Sequence, residues 1–366
     1  MSRRERAEIV SGTDRPGKGT KRRLAMATGG TSVELRPGSD VHRALADVRT
    51  GTDVVLHSGD HAVKSTITIG GGGRPGAPVV IRGAEAHTRP RIVCRDRVST
   101  VIGVRADHVI LRGLHFGPTP DDVHAVTLYG ASGVTVEDCV FEDVGGLAIV
   151  ESMTATSVVI RGNAILRSRA TAMYFGCHSG SCSITDLLIE GNYIDGVAPA
   201  GRWVGYGVQV KLDSCAVVRD NVIVGTKGPP VMVYGTRDRT MTSRVEGNYV
   251  SGSRESSGIV IGGGPVIVRD NVSVGNAKAG IALQDYGRRH LLRGIDVSGN
   301  SLYGNRGGGV VVTRGRCVET RITGNVAYTM PGTASTPSAR RGATLADNVE
   351  HRLSRLQRAF AAGRHA

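Results

Sequence analysis

LLIEGNYI at residues 187–194 decides the reading of this chain, because the same phrase returns at near-regular intervals on both sides of it. An apolar run meets an arginine, glutamate or serine and a small residue, then an asparagine, then a second apolar pair. The copies are VTVEDCVF (134–141), VVIRGNAI (158–165), AVVRDNVI (216–223), SRVEGNYV (243–250), VIVRDNVS (266–273), IDVSGNSL (295–302) and TRITGNVA (320–327). Their equivalent positions are Cys139, Asn163, Asn192, Asn221, Asn248, Asn271, Asn300 and Asn325, spaced by 24, 29, 29, 27, 23, 29 and 25 residues. Weaker copies precede them at 79–86 and 109–116, making ten turns of one unit. Fixed-period self-similarity of this kind specifies a repeat architecture.

The unit is a strand unit. Helical repeats place apolar residues at i, i+3, i+4 and i+7. Here they alternate over short runs, are mostly β-branched, and stop at Gly, Asn, Asp or Ser. Those are strands bounded by tight turns. The aligned asparagine sits between two strands, where a side chain that tolerates left-handed backbone is expected. Stacked coil on coil, such asparagines can form a hydrogen-bonded ladder, so they mark the fold and not the chemistry. A propeller blade takes about 40–45 residues, and a leucine-rich repeat shows a leucine–asparagine consensus. Neither fits.

A parallel β-helix does fit, and the chain resembles the right-handed parallel β-helix superfamily typified by pectate lyases. The resemblance spans about residues 32–330. Its opening segment, a short amphipathic helix at DVHRALADV (40–48) followed by TDVVLHSGDHAV and HVILRGLHF, is similar to the N-terminal cap of polysaccharide lyases and epimerases. The expected fold class is all-β, a single right-handed solenoid of about ten coils. The expected organisation is a disordered basic segment at 1–30, the β-helix at 31–330, and a linker plus amphipathic helix at 331–366. Leu345, Val349, Leu353, Leu356 and Phe360 carry that helical spacing.

The net charge is +14, of which residues 1–23 hold +5 and residues 340–366 hold +4. The remaining excess of about +5 suits an acidic partner. The absence of aromatic–basic interleaving argues against nucleic acid. No apolar run approaches the length of about 18 residues that spans a membrane. Nor does an apolar stretch of about 7–15 residues follow the basic N-terminus, so no standard signal peptide is legible. The superfamily resemblance, by contrast, implies export. Of six cysteines, Cys177 and Cys182 flank HSGS and suit a small disulfide loop or free thiols better than a metal site.

The second strand of each coil stacks into one sheet, and its alternation separates core from surface. Aligned, these strands read AVTLYGA (125–131), GLAIVES (146–152), AMYFGCH (172–178), GVQVKLD (207–213), PVMVYGT (230–236), GIVIGGG (258–264), GIALQDY (280–286) and GVVVTRG (309–315). Their second and fourth positions are apolar; the third, fifth and seventh are expected to face solvent. Those outward columns gather Tyr174, His178, Gln209, Lys211, Asp213 and Tyr234 on three adjacent coils, with Gln284 and Tyr286 beyond a glycine coil. The long loop before Gly207 adds Arg202, Trp203 and Tyr206, and the next turn adds Lys227. Loops on a rigid scaffold are where binding groups concentrate.

The resemblance implies a carbohydrate-active enzyme, a lyase or C5-epimerase acting on an acidic, uronate-containing polysaccharide. Such chemistry needs a base for the C5 proton, an acid, and neutralisation of the carboxylate. Lys211 is the expected base, its pKa lowered if neighbouring cations and a covering loop desolvate it. His178 or Tyr234 is the expected acid, and Asp213 orients one of them. Gln209, Arg202 or Lys227 holds the carboxylate; Tyr174, Trp203, Tyr206, Gln284 and Tyr286 line the sugar site. The resemblance also implies Ca²⁺ as a cofactor, although the chain has no acid cluster, no DPHE motif and no paired-aspartate and GHG pattern of the known members. The competing expectation is a non-catalytic β-helix, a glycan-binding or periplasmic assembly protein.

Overall fold

A computed structural model describes residues 31–85, 87–177, 180–286, 291–329 and 342–353. Among them three long parallel sheets of 13, 12 and 10 strands run the length of a solenoid of about twelve turns. Each coil passes from a strand of sheet A through the asparagine corner to sheet B. A second corner leads to sheet C, and a third returns the chain to A. For one coil these strands are Ala155–Arg161, Ala164–Leu166 and Met173–Phe175. The N-terminal helix is present as Val41–Ala46, with Asp40 accepting a hydrogen bond from the Arg43 amide at 3.0 Å.

The asparagines form the expected ladder, but they are not the left-handed residues. That conformation belongs to the residue just before each one: Asp138, Gly162, Gly191, Asp220, Gly247, Asp270, Gly299 and Gly324 all have positive φ. The corner bends at this residue and turns the asparagine inward. Asn221 accepts from the Asn192 amide and from Asn192 Nδ2, both at 2.9 Å. Its own Nδ2 reaches Asn248 Oδ1 and the carbonyls of Ile189 and Arg219, also at 2.9 Å. A buried amide so satisfied costs nothing to desolvate and ties three coils together. A second ladder, unforeseen from the sequence, runs along the corner between B and C: Asn276 Oδ1 accepts from the Ser253 amide, and Asn305 Oδ1 from the Asn276 amide, each at 3.0 Å.

The charged letter of the repeat also has a physical reason. On sheet A, Arg161, Glu190, Arg219, Glu246 and Arg269 stand directly opposite one another on successive strands. Arginine and glutamate alternate, so each meets an opposite charge across the strand, as in the Arg219–Glu190 and Arg269–Glu246 pairs. Exposed pairs contribute little individually; like charges in this column would repel at every step.

The C-terminal expectation is corrected. Thr344–Ala346 and Val349–Arg352 are strands that extend sheets A and B, and Asn348 continues the asparagine ladder by accepting from Asn325 at 2.9 Å. The helical spacing of Leu345, Val349 and Leu353 is an accident of ADNVE, a further copy of the repeat phrase. The solenoid therefore runs past residue 330. Leu356 and Phe360, the linker and the basic segment 1–30 lie outside the described residues.

Candidate functional site

Sheet C carries the site on its outer face. Tyr174, Gln209 and Met232 are direct cross-strand neighbours, and Lys211 and Tyr234 follow two residues on. The strand spacing of about 4.8 Å therefore brings these side chains together. Lys211 follows Gly176 in its column, where the missing Cβ leaves room for its stem. A Cβ at Gly176 would lie 2.4 Å from Ser214 Oγ and 3.2 Å from Lys211 Cβ, on backbone with φ +88°.

Although it points out of the solenoid, Lys211 is only 3% exposed. Its Nζ lies 4.4 Å from the centre of the Tyr234 ring and 5.3 Å from that of Tyr174. Burial pushes its pKa down to about 8, because desolvation penalises the charged form. The two ring faces favour the cation and oppose that shift.

Tyr234 is the hub of the cluster. Its phenol oxygen accepts from Tyr206 and, at 3.4 Å, from Gln209 Nε2. Burial raises its pKa, and those two donors hold the rise back. Burial raises Tyr206 and Tyr174 as well, so these phenols stay protonated at neutral pH. Tyr286 leans back across the glycine coil at Gly262 to meet Tyr234, ring centres 5.7 Å apart. Met232, Val260 and Ala282 form a small apolar floor packed under Tyr206 and Tyr234.

That floor corrects an expectation. The outward third column is not solvated here, because Tyr206 and its loop cover it. The loop is pinned at both ends, by the Ala198 amide donating to the Ser168 carbonyl at 2.9 Å and by the Tyr206 amide donating to Thr171 Oγ1 at 3.3 Å. Lys227 ties down its middle through a bond from Nζ to the Gly201 carbonyl.

Other expected site residues fall elsewhere. Asp213 is bound by Arg237, which donates its backbone amide at 2.8 Å and Nε at 2.7 Å; the carboxylate anchors the turn after Lys211. Lys227 serves the loop and not a sugar carboxylate. Trp203 stands 68% exposed with no ring contact among the described residues, and Arg202 is exposed beside it. Gln284 accepts from Thr313 Oγ1 at 3.2 Å, next to Tyr286. His178 lies outside the described residues. Of the two states expected for Cys177 and Cys182, disulfide or free thiols, the structure has the disulfide.

Among the described residues no three His, Cys, Asp or Glu side chains gather into a metal-binding group. The acidic oxygen set that Ca²⁺ requires is therefore not assembled from them.

Glu151 escaped the sequence reading. Structural register pairs Val126 with Ile149 and Leu128 with Glu151, so the strand at 146–152 is displaced by two residues from its sequence alignment. A shift of two residues keeps the same face, and it places Glu151 in the column of Leu128 and Phe175, where it is fully buried. It accepts from the amides of Met153 at 2.5 Å and Gly130 at 3.0 Å. Burial nevertheless raises its pKa to about 7. Registers two residues apart keep the same alternation and therefore look alike in sequence.

Comparison with known proteins agrees with this architecture. Residues 189–348 match the family described as "Right handed beta helix region". Among solved structures, the A-module of a mannuronan C-5 epimerase from Azotobacter vinelandii is 14% identical with a TM-score of 0.55, over 83% of this chain and 88% of that one. A mannuronic acid specific polysaccharide family 6 lyase from human gut microbiota is 13% identical with a TM-score of 0.53, over 91% and 84%. No curated protein matches significantly. These similarities agree on the fold, a right-handed parallel β-helix.

Proposed function

We propose, taking the chain as a right-handed parallel β-helix protein, that it cleaves an acidic, uronate-containing polysaccharide by β-elimination. The observation that carries this reading is Lys211: an amine desolvated on the working face of the solenoid, between two tyrosine rings, with a pKa lowered to about 8. A base poised near working pH is what abstraction of a proton beside a carboxylate requires. The fold also supports a mannuronan C-5 epimerase and a mannuronic acid specific lyase, whose substrates are uronates.

In this scheme neutral Lys211 takes the C5 proton, and the electron pair passes into the carboxylate. It then forms the C4–C5 double bond as the C4–O bond breaks. The Tyr234 hydroxyl protonates the departing oxygen, and the tyrosinate recovers its proton from the Lys211 ammonium. No water is consumed. Gln209, beside Tyr234, and Arg202, at the tip of the covering loop, are assigned to the substrate carboxylate. Lys211 and Tyr234 project from the same face of sheet C. Base and acid on one side of the sugar serve a syn elimination, whereas epimerisation needs a proton donor on the opposite face.

The test is a screen of polyuronates, alginate and polygalacturonate among them, for the ultraviolet absorbance of an unsaturated uronate, with Lys211→Ala as control. Product from the native protein and none from the variant is expected. Inversion at C5 without chain cleavage would replace elimination by epimerisation. A non-catalytic glycan-binding role is the second reading, favoured by the engagement of Asp213 with Arg237, which leaves that carboxylate committed to structure. It predicts binding with no product from any polymer.

A further inference from the structure

Among the described residues nine large apolar side chains are exposed, and five of them stand in one line. Tyr193, Val222, Tyr249, Val272 and Val349 occupy the first outward column of sheet B, where Ser301 and Val326 complete an unbroken run over seven coils. The second outward column runs beside it from Asp195 to His351 and includes Val224, Ser251, Tyr303 and Tyr328. Between those two ends neither column holds a charge. In five of the coils a glycine follows the second column, as at Gly225 and Gly275, and keeps that edge low.

Sheet A shows how this fold treats an outward face left to water: its column alternates arginine and glutamate. Sheet B lacks that device. Seven coils about 4.8 Å apart and two columns about 7 Å apart give, with side-chain width, a face of roughly 500 Å². An apolar strip of that size is at the upper end of what a folded chain leaves uncovered. A flat, uncharged sheet is covered best by another flat sheet, because two sheets pack face to face with their strands nearly aligned.

We infer that sheet B is the contact face of a homodimer, in which two solenoids pack sheet on sheet with their long axes antiparallel. The two-fold axis runs along the strand Val272–Val274, the middle one of the seven. A two-fold contact pairs each surface position with its symmetry mate, so each tyrosine meets a smaller side chain. Tyr193 faces the partner's Val349, Tyr249 the partner's Ser301, and Tyr303 the partner's Ser251. The ends are complementary as well. Asp195, which accepts from the Tyr193 hydroxyl at 3.3 Å, faces the partner's His351. That imidazole is held by stacking on Tyr328, ring centres 4.9 Å apart. With the long axes parallel, His351 would face the partner's Val349 and this pairing would be lost. The contact covers roughly 1,000 Å² in total, the lower end for a specific interface, which suits a dimer of micromolar affinity. Sheet C stays open on both copies, so the inference stands apart from the chemistry of the site.

The test is sedimentation equilibrium of the full chain across the micromolar range, where a reversible monomer–dimer equilibrium is expected. Val272→Lys sets two ammonium groups against each other on the two-fold axis. It should weaken the dimer by more than about a hundredfold while circular dichroism shows the native fold. Oxidative cross-linking reads the orientation, with the native chain as control. Val272→Cys should join covalently to its own mate, whereas Val222→Cys, four coils or about 19 Å from its mate, should not. A native chain that stays monomeric at every concentration would overturn the dimer in favour of a partner of another kind. Dimerisation of the Val272→Lys protein at native strength would move the contact off sheet B. Equal cross-linking of the two cysteine variants would overturn the antiparallel arrangement.

Discussion

The Lys211 ammonium nitrogen lies 4.4 Å above the centre of the Tyr234 ring, and the hydroxyl of that ring accepts hydrogen bonds from Tyr206 and Gln209. One aromatic side chain thus covers the base and presents the acid. Burial, which lowers the lysine pKa, raises the tyrosine pKa, so the neutral pair is the form this environment favours.

The pH dependence of turnover follows from that pair. Lys211 must be neutral to accept a proton, and its pKa is pushed down from 10.5 to about 8. The rate (kcat/KM) should rise about tenfold per unit below pH 8 and level off above it. Stability should also rise with pH between about 8 and 10.5, where the unfolded chain binds the proton that the folded chain has released. Lys211→Arg should be inactive across the range because a guanidinium stays protonated. A flat pH–rate profile would remove Lys211 from the role of base.

Tyr234→Phe keeps the ring over Lys211 and removes the hydroxyl. It should lower kcat by about a hundredfold with little change in KM. Tyr206→Phe, which deletes only a donor to Tyr234, should cost less. Steady-state kinetics on one polymer separates the two, and equal losses would show that the phenols act only by packing.

Gly176→Ala would place a methyl group against Ser214 and Lys211 on backbone that L-residues avoid. We expect a stability loss of about 1–3 kcal/mol, read by denaturant titration, together with loss of turnover as the lysine stem is displaced. A variant of native stability and native activity would show that this corner has slack.

Glu151 should give the folded protein an acidic pH dependence. Its buried carboxyl titrates near 7 instead of 4.5. The folded state therefore holds a proton that the unfolded state has lost across that interval, and stability falls as pH rises from 4.5 to 7. The total fall amounts to about 3 kcal/mol at most. Glu151→Gln keeps an acceptor for the amides of Gly130 and Met153 and should flatten the profile. Melting temperatures of both proteins at pH 4.5 and pH 7.5 are the measurement.

Much of the candidate site was legible before any coordinates. Tyr174, Gln209, Lys211 and Tyr234 do converge on sheet C, because side chains alternate along a strand and coils stack in register. Asp213 and Lys227 sit near the cluster yet spend their charge on Arg237 and on the Gly201 carbonyl. Such engagements depend on where turns bring distant residues, which spacing along one coil does not encode. The burial of Lys211 could be stated only as a condition, since its cover comes from Tyr174 and Tyr234 on neighbouring coils.

The repeat alone determined the solenoid: an asparagine every 23–29 residues, with alternating strands on either side, admits one stacking in which every buried amide is satisfied. It also determined the outward columns wherever register held. Only the tertiary structure decided that Asn348 adds a further coil, that Glu151 shares an apolar column with Leu128 and Phe175, and which side chains desolvate Lys211. The reason is physical. Strand periodicity is local and reads out directly from the chain, whereas desolvation and ion pairing depend on what covers a side chain, and here the cover is folded in from neighbouring coils.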